Sequence, residues 1–253
     1  AGGIIWNDAS GWNFGREGNI YAPEYNYVRP VDYCSGASIL LRKKTFEEAG
    51  CLNEFFAPAY YEDTDLCFTL RTKLNLKVIY QPKSILIHHE GISSGKSTKS
   101  GIKRYQEINA VKFKEKWTDY LQKHLANGAS NVLKASRRHS GTKTILIIDV
   151  YVTKYDKESG SNRLLHIVKI FKVLGYHVIF LPDNGYAEDP YASMLQEMGV
   201  EVLYTRADYS FSLSQQLIER LPIIDYAWIC RPELNEKYQS IITLRPEIKI
   251  IYD

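Results

Sequence analysis

The sequence has few of the features that assign a chain at once to a common class of protein. Its 253 residues include only four cysteines, which form neither a zinc-ligand pattern nor a disulfide framework: Cys34, Cys51, Cys67 and Cys230. Cysteines without such a pattern are typical of the reducing cytoplasm, so we expect a cytoplasmic protein. No apolar run approaches the roughly 20 residues that a membrane-spanning helix needs. The net charge of +3 favours no charged partner by itself.

Two well-known binding motifs are also missing. The turn at residues 159–162, Ser-Gly-Ser-Asn, lacks the G-x-G-x-x-G spacing of a dinucleotide-binding loop, so the sequence does not indicate a nicotinamide-dependent enzyme. The basic residues are interleaved with core-like apolar positions and belong to no recognised nucleic-acid-binding motif. We therefore expect no nucleic-acid partner.

The second half of the sequence alternates regularly between strands and helices. The apolar run 144–150 predicts a strand, and the helix predicted at 161–174 ends before Gly175. The same rhythm continues to the last residues, with strands at 177–182, 200–205, 224–230 and 248–253 and helices at 189–198, 212–221 and 233–243. Five strands alternating with four helices predict an α/β fold, a Rossmann-like parallel sheet with helices on both faces.

The first half is less regular. Residues 1–30 are rich in loop-forming residues, and "VDYCSGASILLRK" (31–43) predicts a strand, a turn of small residues and a second strand. Thr45 and Glu48 have the spacing of a capping box, which together with Gly50 predicts a short helix. Two further helices are predicted at 64–74 and 102–125.

The length of the chain favours two domains. The stretch "ANGASNVLKASRRHSG" is the best linker candidate, so we expect a first domain at 1–127, a linker at 128–142 and a second domain at 143–253. The sequence opens with "AGGIIW", without a helix or strand start of its own, and stops at "IKIIYD", in or just after an apolar strand. We therefore expect a piece of a longer protein.

An acidic cluster precedes the helix predicted at 64–74. It consists of Glu62, Asp63 and Asp65 in the segment "YYEDTDL". Asp63 could be the helix N-cap, with the other acids stabilised by the helix macrodipole. Asp63 and Asp65 could also suggest a metal site, but residues i and i+2 of a helix point about 200° apart and do not converge on one ion. A catalytic base is the third interpretation.

Seven features that follow one another in residues 31–95 favour the catalytic interpretation. They are the turn Ser35-Gly36-Ala37, an Arg-rich step, a short helix, the segment Gly50 to Phe55, the acidic pair opening a helix that carries Arg71, a strand ending at Tyr80 and Pro82, and a histidine before a Gly/Ser loop. In this order they closely resemble the acceptor-side half of family-2 glycosyltransferases, which have the GT-A fold. "NAVKFKEKW", with Asn109, Phe113 and Trp117, resembles the helix after that loop.

The resemblance implies an inverting transfer of a sugar from a nucleotide donor to an acceptor hydroxyl. By position in the family motif, Asp63 is the catalytic base and Glu62 helps to place the acceptor or the base. The turn Ser35-Gly36-Ala37 is the expected substrate-binding turn, although a plain tight turn also explains its small residues. Arg71 is expected to be a structural ion-pair partner.

The resemblance also implies a divalent cation, Mn²⁺ or Mg²⁺, in the complete first domain. His88 is the candidate metal ligand or contact to the donor diphosphate; a surface or packing histidine is the alternative, and the adjacent His89 makes the assignment ambiguous. Members of the family begin with a nucleotide-binding βαβ unit and carry an Asp-x-Asp metal motif at the end of a strand, and this sequence shows neither ahead of residues 31–95. We therefore expect no sugar transfer from this chain alone.

Residues 143–253 resemble the N-terminal Rossmann-like domain of family-4-type glycosyltransferases, which have the GT-B fold. The likeness lies in "TILIIDVYVTKYDKESGSNRLLHIVKIFKVLGYHVIFLPDN". It implies that the loop from Asp156 to Asn162 borders an acceptor cleft. The nucleotide sugar mostly binds a second domain in that family, and this second domain is absent here.

Together the two resemblances predict a fragment of a bifunctional glycosyltransferase that builds a bacterial cell-surface polysaccharide or a lipid-linked glycan. Its partners are then a nucleotide-sugar donor and a glycan or lipid-linked acceptor. Residues 93–143 contain twelve Lys or Arg against three acids, which suits contact with the inner face of the cytoplasmic membrane at about 1 kcal/mol per basic residue. A solvated helix face plus linker explains this charge as well. The alternative function is a non-catalytic glycan-binding or docking module.

Overall fold

The computed structural model describes residues 2–87, 101–137 and 142–253. Two compact units make up the chain. The first contains Ala1–Arg16 and Arg29–Ser140, and the second contains Glu17–Val28 and Gly141–Asp253. The predicted domain limits, 1–127 and 143–253, stay a prediction. Residues 17–28, which the sequence placed in the first domain, group with the second unit.

The first unit contains short strands and helices joined by long loops. Its strands form two antiparallel pairs: β1 (Gly3–Ile5) with β2 (Gly11–Asn13), and β3 (Arg29–Pro30) with β4 (Ile79–Tyr80). Its α-helices are α1 (Lys43–Glu48), α2 (Glu62–Thr72), α3 (Arg104–Lys116), α4 (Thr118–Leu121) and α5 (Val132–Ala135). A 3-10 turn at Gly36–Ser38 lies between β3 and α1.

An aromatic cluster packs α2 against α3 and α4. The Phe68 ring of α2 lies 4.9 Å from the Phe113 ring, 5.5 Å from the Trp117 ring and 5.6 Å from the Tyr120 ring, measured between centroids. Such edge-to-face pairs contribute about 0.5–1.5 kcal/mol each beyond the area they bury. The middle of α2 is therefore held by the helices that follow it in sequence.

Three sequence predictions for the first unit are wrong in detail. The helix predicted at 102–125 is two helices, because Trp117 leaves the helical conformation with φ −113° and ψ 19°. The capping box fails because α1 already begins at Lys43, which places Thr45 inside the helix. The strands predicted within 31–43 are reduced to one bridge between Gly3 and Tyr33, since the backbone turns into the 3-10 helix at Gly36.

The second unit is a five-stranded parallel sheet with the order β7-β6-β5-β8-β9. Its strands are β5 (Thr144–Asp149), β6 (His177–Pro182), β7 (Val200–Val202), β8 (Tyr226–Ile229) and β9 (Lys249–Tyr252). Its helices are α6 (Ser159–Val173), α7 (Tyr191–Glu197), α8 (Leu213–Arg220) and α9 (Pro232–Ile242).

Helices cover both faces of this sheet. Ile145 and Ile147 of β5 belong to the apolar cluster that includes α6 and α7, whereas Leu146 and Ile148 belong to the cluster that includes α8 and α9. The predicted α/β fold, a Rossmann-like parallel sheet flanked by helices, is confirmed for this unit. None of the helices within the described ranges is long and apolar enough to cross a bilayer.

Residues 17–28, here called the inserted segment, pack on the second unit. The Val28 N–H donates to the Gln196 carbonyl oxygen at 2.9 Å, and the Tyr204 hydroxyl donates to the Tyr21 carbonyl oxygen at 2.6 Å. The inserted segment is therefore part of the second unit, although residues of the first unit precede and follow it in the sequence.

Candidate active site

The acidic cluster forms the first turn of α2, directly after a strained stretch of backbone. The helix begins at Glu62, and both Tyr60 and Tyr61 have φ of 72°, in the left-handed region. Bulky residues rarely adopt this conformation, which costs about 1–3 kcal/mol per residue. Because Tyr61 occupies the N-cap position and Asp63 lies inside the helix, the predicted Asp63 N-cap is wrong.

Asn109 of α3 holds the strained stretch in place. Its Nδ2 atom donates to the carbonyl oxygens of Phe56 at 2.6 Å, Ala59 at 2.8 Å and Tyr60 at 3.1 Å. The Asn109 side chain is completely buried, so these contacts are not exchanged with water. The position of the helix start therefore depends on a residue about fifty positions further along the chain.

Asp65 points away from Asp63 and serves the packing of α3. Its carboxylate accepts hydrogen bonds from Trp117 Nε1 and Lys116 Nζ, each at 2.7 Å, and from Asn53 Nδ2 at 3.2 Å. The prediction that Asp63 and Asp65 diverge is confirmed by their different partners. Asn53 was not predicted as part of this arrangement, although the segment Gly50 to Phe55 that contains it was.

Asp63 joins the helix start to the turn of small residues. Its Oδ2 accepts the Gly36 N–H at 2.8 Å, and its Oδ1 accepts the Thr64 N–H at 2.7 Å. Ser35 begins the 3-10 turn, with its hydroxyl oxygen accepting the Ala37 N–H at 3.3 Å. Two parts of the predicted site, 27 residues apart in sequence, are thus in direct contact.

Glu62 lies beside this contact in a different environment. The side chain is half-buried, and its Oε2 atom is buried without a hydrogen-bond partner among the described residues. Burial raises the pKa of the Glu62 carboxyl, as does the negative charge of Asp63, while the backbone N–H groups of Glu62 and Tyr60 oppose the rise. A carboxylate with a raised pKa binds a proton more strongly than an ordinary carboxylate does.

The ion pair predicted for Arg71 is confirmed. Arg71 Nη1 lies 2.9 Å from Asp32 Oδ1, and both side chains are buried. The other oxygen of Asp32 accepts the Ile5 N–H at 2.9 Å, which ties α2 to β1. Arg71 is therefore part of the support of α2.

The expected metal ligand, His88, lies outside the described residues. Within residues 2–87, 101–137 and 142–253, no group of three His, Cys, Asp or Glu side chains could hold a metal ion. The described residues do not form a metal centre by themselves. A divalent cation stays a prediction for the complete first domain.

Two lysines of the basic segment 93–143 make structural contacts. Lys112 Nζ donates to the Phe55 carbonyl oxygen at 2.8 Å, and Lys116 is bound to Asp65. These lysines support the loop and helix around the acidic cluster. Contact of residues 93–143 with a membrane stays a prediction.

In the second unit, the carboxyl ends of β5 and β8 meet at the point where the strand order reverses. Asp149 at the end of β5 lies 3.4 Å from Arg231, which follows β8, and the Asp156 carboxylate accepts a hydrogen bond from the Tyr191 hydroxyl at 2.7 Å. Ligands of open parallel sheets bind in the crevice at such a switch point. Of the predicted loop from Asp156 to Asn162, residues 156–158 lie between β5 and α6, and residues 159–162 form the first turn of α6.

The contact between Gly36 and Asp63 can be tested with a matched pair of substitutions. Gly36→Pro replaces the N–H by a ring carbon and is expected to lower the free energy of unfolding by about 1–3 kcal/mol, the usual contribution of a hydrogen bond to a charged group. Gly36→Ala keeps the N–H, and its added Cβ lies 3.5 Å from Asp63 Cβ, an ordinary contact. Urea unfolding of both variants measures the difference; equal stabilities contradict the assigned bond.

Comparisons with known proteins give no family for this chain. No family model matches it, and no curated protein or solved structure shows significant similarity to it.

Proposed function

We propose that this chain is part of a bifunctional glycosyltransferase that moves sugars from nucleotide-sugar donors to a growing cell-surface polysaccharide or lipid-linked glycan. One observation carries the proposal. The Asp63 carboxylate accepts the Gly36 N–H at 2.8 Å, so the acidic pair and the small-residue turn adjoin each other. These are the two motifs that the GT-A resemblance assigns to one acceptor site.

The arrangement suits an inverting transfer. A carboxylate held within hydrogen-bond distance of the acceptor can take the hydroxyl proton while the oxygen attacks the anomeric carbon of the donor. The strained turn before α2 and its support by Asn109 fix the position of the carboxyl groups. Small residues at Ser35, Gly36 and Ala37 leave room for a sugar to approach the backbone.

The second unit is proposed to be the acceptor-side half of a second transferase. Support comes from its open parallel sheet and from the crevice at the carboxyl ends of β5 and β8, bordered by the loop from Asp156 to Asn162. A cytoplasmic location at the inner face of the membrane belongs to the same proposal, because nucleotide sugars and lipid-linked acceptors meet there.

The test uses the full-length natural protein that contains this chain. Nucleotide release from a panel of sugar donors is measured with oligosaccharide acceptors and Mn²⁺, for the wild type and for the Glu62→Gln/Asp63→Asn double variant. We expect acceptor-dependent release that falls by about 10²–10⁴-fold in the double variant, the usual contribution of general acid–base catalysis. Because a second transferase is proposed in the same protein, donors whose release is unaffected are assigned to that domain.

A matched control is Glu47→Gln on α1, where the carboxylate lies on the exposed surface 3.7 Å from Lys43. This variant is expected to keep the wild-type rate, since exposed ion pairs contribute little. If the double variant releases nucleotide as fast as the control from every donor, the proposed site is wrong. Glycan binding without any turnover, unchanged in the double variant, supports the binding or docking module instead.

A further inference from the structure

Helix α6 is apolar on its solvent side as well as on its core side. Leu164 and Val168 are buried in the apolar cluster that the helix shares with β5. On the outer side Ile170 is 57% exposed and Val173 87%, and Leu174, the C-cap residue, is 64% exposed. Their spacing of i, i+3 and i+4 makes the three side chains neighbours, here called the outer apolar face. Surface helices of globular proteins usually carry polar residues on this side.

Aromatic residues extend the outer apolar face toward β8. Phe171 lies three positions before Leu174, and its ring centroid is 5.2 Å from that of Tyr176 and 6.1 Å from that of Trp228. The Tyr176 ring in turn lies 6.1 Å from the Tyr226 ring. All four aromatic residues are only partly buried. A continuous exposed apolar surface marks a contact with a partner or a membrane, whereas apolar residues scattered singly over a surface do not.

The charged side chains of α6 are basic. The helix contains no acidic residue, and its basic or titratable residues are Arg163, His166, Lys169 and Lys172. Arg163 binds the Asp253 carboxylate, and Lys172 Nζ donates to the Gly199 carbonyl oxygen at 2.8 Å. Lys169 is exposed. Because residues i and i+2 of a helix point about 200° apart, Lys169 lies on the side of α6 opposite to Phe171.

A second exposed lysine lies on the other side of the apolar surface. Lys249 of β9 pairs with Tyr226 of β8 in the register of the parallel sheet, and its Nζ atom lies 6.0 Å from the centre of the Tyr226 ring. The acid at the start of β8, Asp225, lies 3.4 Å from Lys143. The surface is therefore apolar in its centre and carries a lysine on each side.

We infer that the outer apolar face binds the anionic surface of a phospholipid bilayer, with Lys169 and Lys249 against the lipid headgroups. The inference goes beyond the proposed function, because it concerns a different part of the chain from the basic segment 93–143 and requires no sugar transfer. The loop from Asp156 to Asn162 lies at the opposite end of α6 and stays uncovered in this arrangement.

Two features favour a bilayer over a protein partner. The side chains of the outer apolar face protrude from a helix, and a bilayer accepts protruding apolar side chains without a matching groove. The lysines on both sides are attracted by anionic lipids, and their long stems can lie along apolar surface while the ammonium groups reach the headgroups. Half-buried tyrosine and tryptophan rings suit the boundary between the apolar and polar layers.

The first experiment measures binding of this chain to vesicles of phosphatidylglycerol and phosphatidylethanolamine by co-sedimentation, without substrate. The triple variant Ile170→Gln/Val173→Gln/Leu174→Gln is expected to bind at least about tenfold more weakly, because the apolar side chains that enter the headgroup layer are lost. Lys169→Gln is expected to weaken binding about fivefold at low salt. Its binding to vesicles of phosphatidylcholine alone is expected to equal that of the wild type.

Matched controls lie elsewhere in the second unit. Ile218→Gln/Leu244→Gln replaces exposed apolar residues away from this surface, and Lys157→Gln replaces an exposed lysine in the loop before α6. Both controls are expected to bind like the wild type. Glutamine is a good helix former, so the triple variant is expected to keep the wild-type urea midpoint. If its midpoint falls, the single variant Val173→Gln replaces it in the comparison.

The second experiment locates the contact with an environment-sensitive fluorophore. The dye is attached to Val173→Cys, and to Leu244→Cys as the control, after Cys51→Ser has removed the exposed native thiol. Vesicles are expected to shift the emission of the dye at residue 173 to shorter wavelength and to leave the dye at residue 244 unchanged. Equal emission of the dye at residue 173 with and without bound vesicles contradicts the inference.

The remaining outcomes are equally decisive. If the wild-type chain does not bind these vesicles, or if the triple variant binds them as tightly as the wild type, the inference is wrong. If analytical ultracentrifugation shows a wild-type dimer that the triple variant loses, while vesicle binding is unchanged, the surface is a contact between copies of the chain and the inference is again wrong. Nucleotide release tests the proposed function separately, and its absence leaves the membrane contact unaffected.

Discussion

Arg220→Met is expected to destabilise the second unit by about 3–5 kcal/mol, the usual cost of removing one partner from a buried ion pair. The Arg220 side chain is 1% exposed, and its Nε atom lies 2.7 Å from Glu201 Oε1, which is equally buried. Its Nη2 atom lies 2.9 Å from Glu24 Oε2 in the inserted segment. Burial alone lowers the pKa of this guanidinium, but the two carboxylates raise it, so the charged pairing is the favoured state.

The substitution leaves Glu201 buried without its main partner and frees Glu24. Hydrogen exchange measured by mass spectrometry is expected to show lost protection in β7 and in the inserted segment. Arg163→Met is the matched control. Arg163, like Arg220, makes two hydrogen bonds to carboxylate oxygens, but both are those of Asp253 and the Arg163 side chain is exposed. Equal loss of protection in the two variants contradicts the buried network.

Asn109→Ala is expected to destabilise the first unit by about 3 kcal/mol. The substitution removes the donor for three carbonyl oxygens, of Phe56, Ala59 and Tyr60, and a buried acceptor without a partner costs about 1–3 kcal/mol. The cavity left in a fully buried position adds to this cost. Without this support, the left-handed backbone at Tyr60 and Tyr61 is expected to relax.

Two measurements test the role of Asn109. Urea unfolding gives the loss of stability, and limited digestion with chymotrypsin reports exposure of the Tyr60–Tyr61 stretch. Gln106→Ala on the exposed side of the same helix is the control, and it is expected to change neither result. If Asn109→Ala leaves the digestion unchanged, the helix start does not depend on Asn109.

The parallel sheet was predictable because its signal is local. Strands buried on both faces are continuous apolar runs, as in "TILIID" and "HVIFLP", and amphipathic helices separate them. The place of the inserted segment was not predictable, since its contacts with Gln196, Tyr204 and Arg220 join residues far apart in sequence. Arg220 itself has the local pattern of a surface charge, and only the glutamate within the strand "VEV" indicates a buried partner.

The contact between Gly36 and Asp63 was predictable, but the backbone conformation around it was not. The family resemblance placed Gly36 and Asp63 in one site, and helix geometry predicted the divergence of Asp63 and Asp65. The local sequence could not show that Tyr61 adopts a left-handed conformation, which moves Asp63 from the N-cap into the helix. Nor could it distinguish the hydrogen-bonded Asp63 from Glu62, since that difference arises from the fold of the turn around Gly36.

The measurement that tests the central claim most directly is the mapping of acceptor binding on the isotope-labelled chain by amide chemical shifts. Oligosaccharides that support nucleotide release are titrated first, followed by a wider oligosaccharide library. The account predicts shifts concentrated at Gly36, Ala37, Glu62 and Asp63. In Gly36→Pro, which has no amide hydrogen at residue 36, the shifts at Ala37, Glu62 and Asp63 are expected to weaken, whereas in Gly36→Ala all four persist. Shifts confined to other parts of the chain, or no binding of any compound that supports turnover, contradict it.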